Sequence, residues 1–386
     1  MDDYFLFICI IVVGGALLAW LANRFRQPIL VGYFACGLIL GPWGFGLIHS
    51  TELFENISRI GITLLLFLAG LVLHPSRLAR FFKLAIFVTL GSSIITCLIV
   101  SLFLIIFGFG FTESVVAGMA LMLSSTVLAT KLLPTTTLHQ KRMGGICIAI
   151  LIAEDIIAVL LLMLLSLSPS ENLFKFILIL NAKAILMVVG VILFERYILR
   201  KMMTSASRYG ELLLMLCLGW CLGIAALAEH LGLSYEIGAF IAGVVMARTK
   251  ISYIFSESLK PLRDFFLLFF FFVLGAEFDV VNVPSVLLPA VLLGAIIITI
   301  RPFYLSLLLR AMKEKKEFSM EIGYRLGQAS EFALIIAMAA SSSGKLGTTA
   351  TQLVQLVTIL TMIASSYIIV FKYPTPISPN LTLKKD

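Results

Sequence analysis

The chain is a succession of apolar runs about twenty residues long, joined by short polar or basic stretches, and that pattern leaves it few folds. The run over residues 145–165, GICIAILIAEDIIAVLLLMLL, is representative. Its apolar positions are continuous rather than alternating, so it reads as a helix and not as a barrel strand. Of 386 residues 60% are hydrophobic and 13% charged, with a mean hydropathy of +1.08, more apolar sequence than a soluble core could bury. The expected fold is an all-α polytopic membrane protein of about 13 transmembrane helices.

Charge sets the expected orientation. When the stretches between runs are assigned alternately to two sides, one side collects 23 of the 29 Lys and Arg residues, among them Arg24, Arg80, Arg142, Arg196, Arg200, Arg263, Arg310 and Lys372. That side is read as cytoplasmic, which puts the N-terminus outside and the C-terminus inside. The same asymmetry accounts for the net charge of +8 without a nucleic-acid partner. Met1-Asp2-Asp3 lacks a basic n-region, so the first run is expected to stay as an anchor, with a bacterial inner membrane as the address. The six cysteines all fall in apolar runs and the four histidines lie apart, so neither a disulfide framework nor a metal site is expected. No cofactor and no enzymatic constellation is indicated.

Within the run 145–165 stand two adjacent acids, Glu154 and Asp155, near its midpoint. An ionisable group at that depth costs at least about 2.5 kcal/mol and is a functional candidate by default. The structural alternative is a neutralised pair that holds helices together. The functional one is a carboxylate that binds a proton and a cation by turns.

An internal repeat locates a second group of candidates. Residues 31–41, VGYFACGLILG, resemble residues 237–247, IGAFIAGVVMA, at an offset of 206, aligning Gly32 with Gly238, Phe34 with Phe240 and Gly37 with Gly243. FLAG at 67–70 aligns with FVLG at 272–275 to within one residue of that offset. Seven spans separate the copies, an odd number, so the repeat is expected to be inverted: six helices, a linker helix, then six more. Repeat one is placed at about 1–170, the linker at about 172–200 and repeat two at about 208–373. Residues 374–386 are left as a short cytoplasmic tail.

Polar residues interrupt the fifth span at Ser124, Ser125 and Thr126, and an offset of 206 leads to Ser330 and Glu331 in the twelfth, beside Gln328. Corresponding interruptions in two inverted halves point to discontinuous helices, whose freed carbonyls and helix ends can hold an ion at the midplane. Arg301, deep in the eleventh span and followed by Pro302, needs a carboxylate or a helix C-terminus nearby; Glu154, Asp155 and Glu331 are the available acids. Arg325 lies closer to the basic side and is expected to snorkel to it.

Taken together, residues 28–33 (PILVGY), Gly41-Pro42, 65–71 (LLFLAGL), 124–127 (SSTV), 154–156 (EDI), 238–243 (GAFIAG), 270–275 (FFFVLG) and 327–333 (GQASEFA) resemble the monovalent cation:proton antiporters, nearest the Kef-type potassium-efflux branch. The resemblance spans residues 1 to about 372. It implies a homodimer whose protomers each have a scaffold and a core, with helices 5 and 12 broken and crossed in the core. It also implies that Asp155 exchanges cation and proton, that Ser124 to Thr126 form one crossover, and that Gln328, Ser330 and Glu331 form the other. The basic position of the eleventh helix falls on Arg301, or on Thr299 when the flanking run is aligned strictly. Relatives carry Asp, Asn or Gln before the aspartate, whereas this chain has Glu154. They also often carry a cytoplasmic nucleotide-binding domain, of which this sequence has no fingerprint; a separate regulatory subunit stays open.

The expected activity is exchange of Na⁺ or K⁺ for H⁺ by alternating access, the two ions competing for Asp155. A cation channel and a membrane sensor or scaffold are the alternatives; no TVGYG-type filter is present. An intramembrane aspartyl protease would need a second mid-membrane aspartate, which the sequence lacks.

Overall fold

The computed structural model describes residues 4–48, 52–72, 75–126, 128–129, 138–165, 183, 186–206, 209–247, 252–278 and 280–375. Most of the expected tail and the start of the expected linker helix lie outside them. The described elements are helical: α1 (Tyr4–Arg24), α2 (Ile29–Leu40), α3 (Glu52–Val72), α4 (Pro75–Ile106), α5 (Phe111–Leu121) and α6 (Leu138–Leu165). They continue as α7 (residues 186–206, with a π turn at Glu195–Leu199), α8 (Gly210–His230), α9 (Tyr235–Met246), α10 (Ser252–Ala276) and α11 (Val283–Ala311). The last three are α12 (Lys316–Arg325), α13 (Glu331–Ser342) and α14 (Thr348–Lys372). Among the described residues seven helices are long and apolar enough to cross a membrane, and α2, α5, α9 and α13 are shorter apolar helices. An isolated antiparallel bridge joins Ser124 and Ala329.

The chain divides into two compact units, neither continuous in sequence. One comprises Met1–His49, Arg77–Leu161 and Leu274–Asp386. Its core joins α4, α6, α11 and α12 through buried residues that include Val88, Ile146, Ile150, Leu305 and Ile322. Large apolar side chains on the outer faces, such as Leu17 and Trp20 on α1 and Ile94, Leu98 and Leu102 on α4, remain exposed, as a bilayer-facing surface requires. Small residues let helices approach where lipid supplies no hydrophobic drive: a methyl group at Gly32 of α2 would lie 2.6 Å from the Leu18 carbonyl oxygen of α1. Gly275 of α10 lies still more tightly on the Phe34 carbonyl of α2.

The other unit comprises Ser50–Ser76 and Leu162–Val273. Here α3 and α9 cross closely, Gly70 against the Phe240 carbonyl and Gly243 against that of Phe67, while Gly238 of α9 lies on Ile224 and Ala225 of α8. Leu64, Phe67, Met203, Cys217, Trp220 and Met246 fill its core. Trp220 also donates its indole N–H to the Ala242 carbonyl at 3.2 Å, which satisfies the one polar atom it buries.

Candidate ion-binding site

All the polar residues singled out at the two interruptions fall in the first unit, and the local chemistry explains both breaks. α5 ends at Leu121 and helical structure resumes at Thr126; α12 ends at Arg325 and α13 begins at Glu331. Each restart is capped by a serine. Ser125 Oγ accepts the Leu128 N–H at 3.1 Å, and Ser330 Oγ accepts the Phe332 N–H at 3.1 Å. A hydroxyl in that position satisfies one of the orphan donors of a helix N-terminus. The two caps correspond at an offset of 205, one less than the offset of 206 read from the α2 and α9 segments.

The carbonyls freed at the end of α5 are claimed by Arg301 of α11. Its Nη1 donates to Leu121 O at 3.2 Å and Leu123 O at 3.3 Å, and reaches Gln328 O of the second break at 3.5 Å. Its Nη2 donates to Met122 O and, at 3.0 Å, to Ser124 Oγ. With 1% of its surface exposed, the guanidinium is a buried cation at a helix C-terminus, where the dipole favours positive charge. Glu154 of α6 completes the lock. Its Oε2 accepts the Ser124 N–H at 2.6 Å, its Oε1 accepts the Ser124 hydroxyl at 3.1 Å, and Oε1 stands 3.8 Å from Arg301 Nη2.

Asp155, the next residue, is held differently. Thr126, the first residue of the restarted helix, donates to its Oδ1 at 3.3 Å, and among the described residues no further hydrogen bond reaches that carboxylate. It is 6% exposed, against 1% for Glu154. Glu331, first residue of α13, lies within electrostatic reach of Asp155, as does Glu154. One acid is therefore committed to holding the break, and the other keeps oxygen capacity beside a helix N-terminus whose dipole favours an anion.

The second break is tied down by its own side chains. Gln328 donates through Nε2 to Arg325 O at 3.0 Å and accepts through Oε1 from Ser365 Oγ of α14 at 2.9 Å. The Ala329 N–H is taken by Thr361 Oγ1 at 3.2 Å. The two breaks touch through the Ser124–Ala329 bridge, and Leu326 O lies 3.1 Å from Ser124 Oγ.

Two sequence expectations meet a different geometry. Thr299 does not join the cluster: it faces outward, and its hydroxyl bonds back to Ala295 O at 2.6 Å in its own helix. Arg325 does not snorkel. It is fully buried, paired with Glu321 one turn earlier at 2.7 Å, and it donates to Pro374 O at 2.8 Å. Its partner supplies the counter-charge, so the side chain has no need of water.

Residues 10–372, the segment holding every one of these groups, match the family described as sodium/hydrogen exchanger, transmembrane. The chain belongs to the sodium/hydrogen exchanger family. Its relatives include the glutathione-regulated potassium-efflux system protein KefC of Salmonella schwarzengrund (strain CVM19633), 30% identical over 362 residues. The protein of the same description in Escherichia coli O81 (strain ED1a) is 30% identical over 354 residues. Both alignments cover 90% of this chain and 57% of the relative, so the chain spans little more than half the length of these relatives. The sodium proton antiporter MjNhaP1 from Methanocaldococcus jannaschii, solved at pH 8, superposes with a TM-score of 0.67 at 19% identity over 94% of each chain. At that identity the likeness concerns the fold. Family and neighbours are transporters, not enzymes.

Several buried polar groups, of which Thr361 and Ser365 reach the second break, are not singled out by the sequence. Thr351, Gln355, Thr358, Thr361 and Ser365 recur every three or four residues along α14 and are all buried, a polar stripe inside an apolar span. Thr96 of α4 and Tyr304 of α11, whose hydroxyls lie 2.5 Å apart, brace the helix that carries Arg301 one turn away. Isolated hydroxyls of this kind leave no pattern in sequence.

Proposed function

We propose that this sodium/hydrogen exchanger chain is a secondary active transporter that exchanges a monovalent cation, Na⁺ or K⁺, for H⁺ by alternating access, with both ions competing for Asp155. The observation that carries the reading is the division of labour between adjacent acids: Glu154 is engaged by Ser124 and Arg301, while Asp155 is held through Oδ1 by Thr126. An ionised Asp155, with the Thr126 hydroxyl beside it, offers hard oxygen ligands to an alkali cation. Protonation removes the charge that held the ion, so occupancy is mutually exclusive. If reorientation requires a neutralised site, the two gradients become coupled. Ser124, Ser125, Gln328, Ser330, Glu331 and Arg301 shape the crossover around that carboxylate. The names of the relatives, potassium efflux for KefC and sodium proton antiport for MjNhaP1, bracket the cation.

Inverted six-helix repeats supply the two-sided geometry such exchange requires, and the packing contacts support them. Gly32 on Leu18 corresponds to Gly238 on Ile224 at an offset of 206, and Gly70 on Phe240 corresponds to Gly275 on Phe34. The Ser125 and Ser330 caps form another such pair. We take residues 1–373 as the transport domain, working as a homodimer in a bacterial inner membrane with the N-terminus outside, and open to a separate regulatory subunit.

The test is proton and ²²Na⁺ or ⁸⁶Rb⁺ flux in proteoliposomes. Cation uptake driven by an imposed pH gradient, lost in Asp155→Asn while the protein still folds, supports the exchange. Cation flux indifferent to the pH gradient would indicate a channel, and no flux of either ion would leave a sensor or scaffold. Normal exchange in Asp155→Asn would remove Asp155 from the mechanism.

A further inference from the structure

In the second unit, a cavity of about 490 Å³ opens between α7 and α9, lined by none of the acids of the proposed exchange site. Its walls are apolar, formed by Val188 and Ile192 of α7 and by Phe240 and Val244 of α9, and one end carries Glu195, Arg196 and Arg200. The volume is in the range of ligand pockets, about 300–1,000 Å³. We propose that this groove binds an anionic glycerophospholipid of the leaflet on the basic side, its phosphate on Arg196 and Arg200 and an acyl chain along the apolar wall.

The charged end is built. In a regular α-helix, residues five apart face different sides. The π turn at Glu195–Leu199, closed by the Arg200 N–H on the Glu195 carbonyl, brings residues 195 and 200 into line. Glu195, buried, accepts through Oε1 from Arg200 Nε and Nη2, both at 3.2 Å. This fixes the plane of the Arg200 fork and keeps its Nη1 available, among the described residues, for a phosphate oxygen. Arg196 and Arg200, both exposed, outweigh the single charge of Glu195 at this end. Two arginines at one end of an apolar groove match an anionic headgroup with its hydrocarbon chain, and basic pockets between membrane helices bind such lipids. A free phosphate would leave the apolar wall uncovered.

The test uses the full chain in detergent, measuring thermal unfolding and native mass spectrometry with phosphatidylglycerol, with phosphatidylcholine and with inorganic phosphate alone. Phosphatidylglycerol is expected to bind and raise the melting temperature; the other two are not. Arg196→Gln, at an exposed position, should weaken phosphatidylglycerol binding about tenfold through loss of a charge-assisted hydrogen bond. Ile192→Trp, which fills the groove and leaves every charge in place, should weaken it as well. Equal effects of phosphatidylcholine, a full effect of inorganic phosphate, or unchanged phosphatidylglycerol binding in either variant would each overturn the proposal.

Discussion

Replacing Arg301 with glutamine probes the buried lock from which the rest of the site hangs. The guanidinium serves the carbonyls of Leu121, Met122 and Leu123 and the Ser124 hydroxyl, and it stands 3.8 Å from Glu154. Removing one partner of a buried ion pair costs about 3–5 kcal/mol, mostly because the other charge is stranded. Glu154 would keep its two bonds from Ser124, which places the expected loss near the lower end, about 3 kcal/mol. At roughly 2 °C per kcal/mol for a chain of this size, the melting temperature should fall by about 5 °C or more. The double variant Arg301→Gln/Glu154→Gln removes the stranded charge but not the orphaned carbonyls, so it should recover about 1–2 kcal/mol of the loss. Thermal unfolding of the detergent-solubilised protein, followed by tryptophan fluorescence, measures both. A wild-type melting temperature in Arg301→Gln, or a double variant no more stable than the single one, would refute the assignment of Arg301 and Glu154 as a mutually dependent pair.

Ser125→Ala and Ser330→Ala should each cost about 1 kcal/mol, the usual worth of a helix cap, and chemical or thermal denaturation would register equal losses at both breaks. A loss at only one would mean the two caps are not equivalent. Glu154→Gln should retain exchange at a reduced rate and with an altered pH profile, because its role is to hold Ser124 beside Arg301. Complete loss of flux, with the fold intact by circular dichroism, would instead make both acids direct ligands.

The helical spans are legible because the bilayer demands long unbroken apolar runs, and residues 145–165 or 283–311 satisfy that demand openly. The breaks are legible for the opposite reason: SST at 124–126 and GQASE at 327–331 are polar where nothing polar is needed for spanning. What Arg301 does there is less so. Its partners are chiefly main-chain carbonyls, which every residue possesses, and a hydrogen bond to backbone leaves no mark on the partner's identity. Ser125 and Ser330 each also cap a restarted helix, a role that residue type alone does not reveal. Arg325 was open to correct reading, since Glu321 stands four residues earlier on the same helix face. The α14 stripe is periodic, but its polar residues are diluted by the apolar span around them.

Competition between proton and cation at one carboxylate is tested most directly by the apparent cation KM measured against pH in proteoliposomes. The account predicts that KM falls as pH rises, by about tenfold per pH unit on the competitive limb for one competing proton, and levels off once Asp155 is ionised. A KM that stays constant on both sides of the activity optimum would contradict a shared site at Asp155.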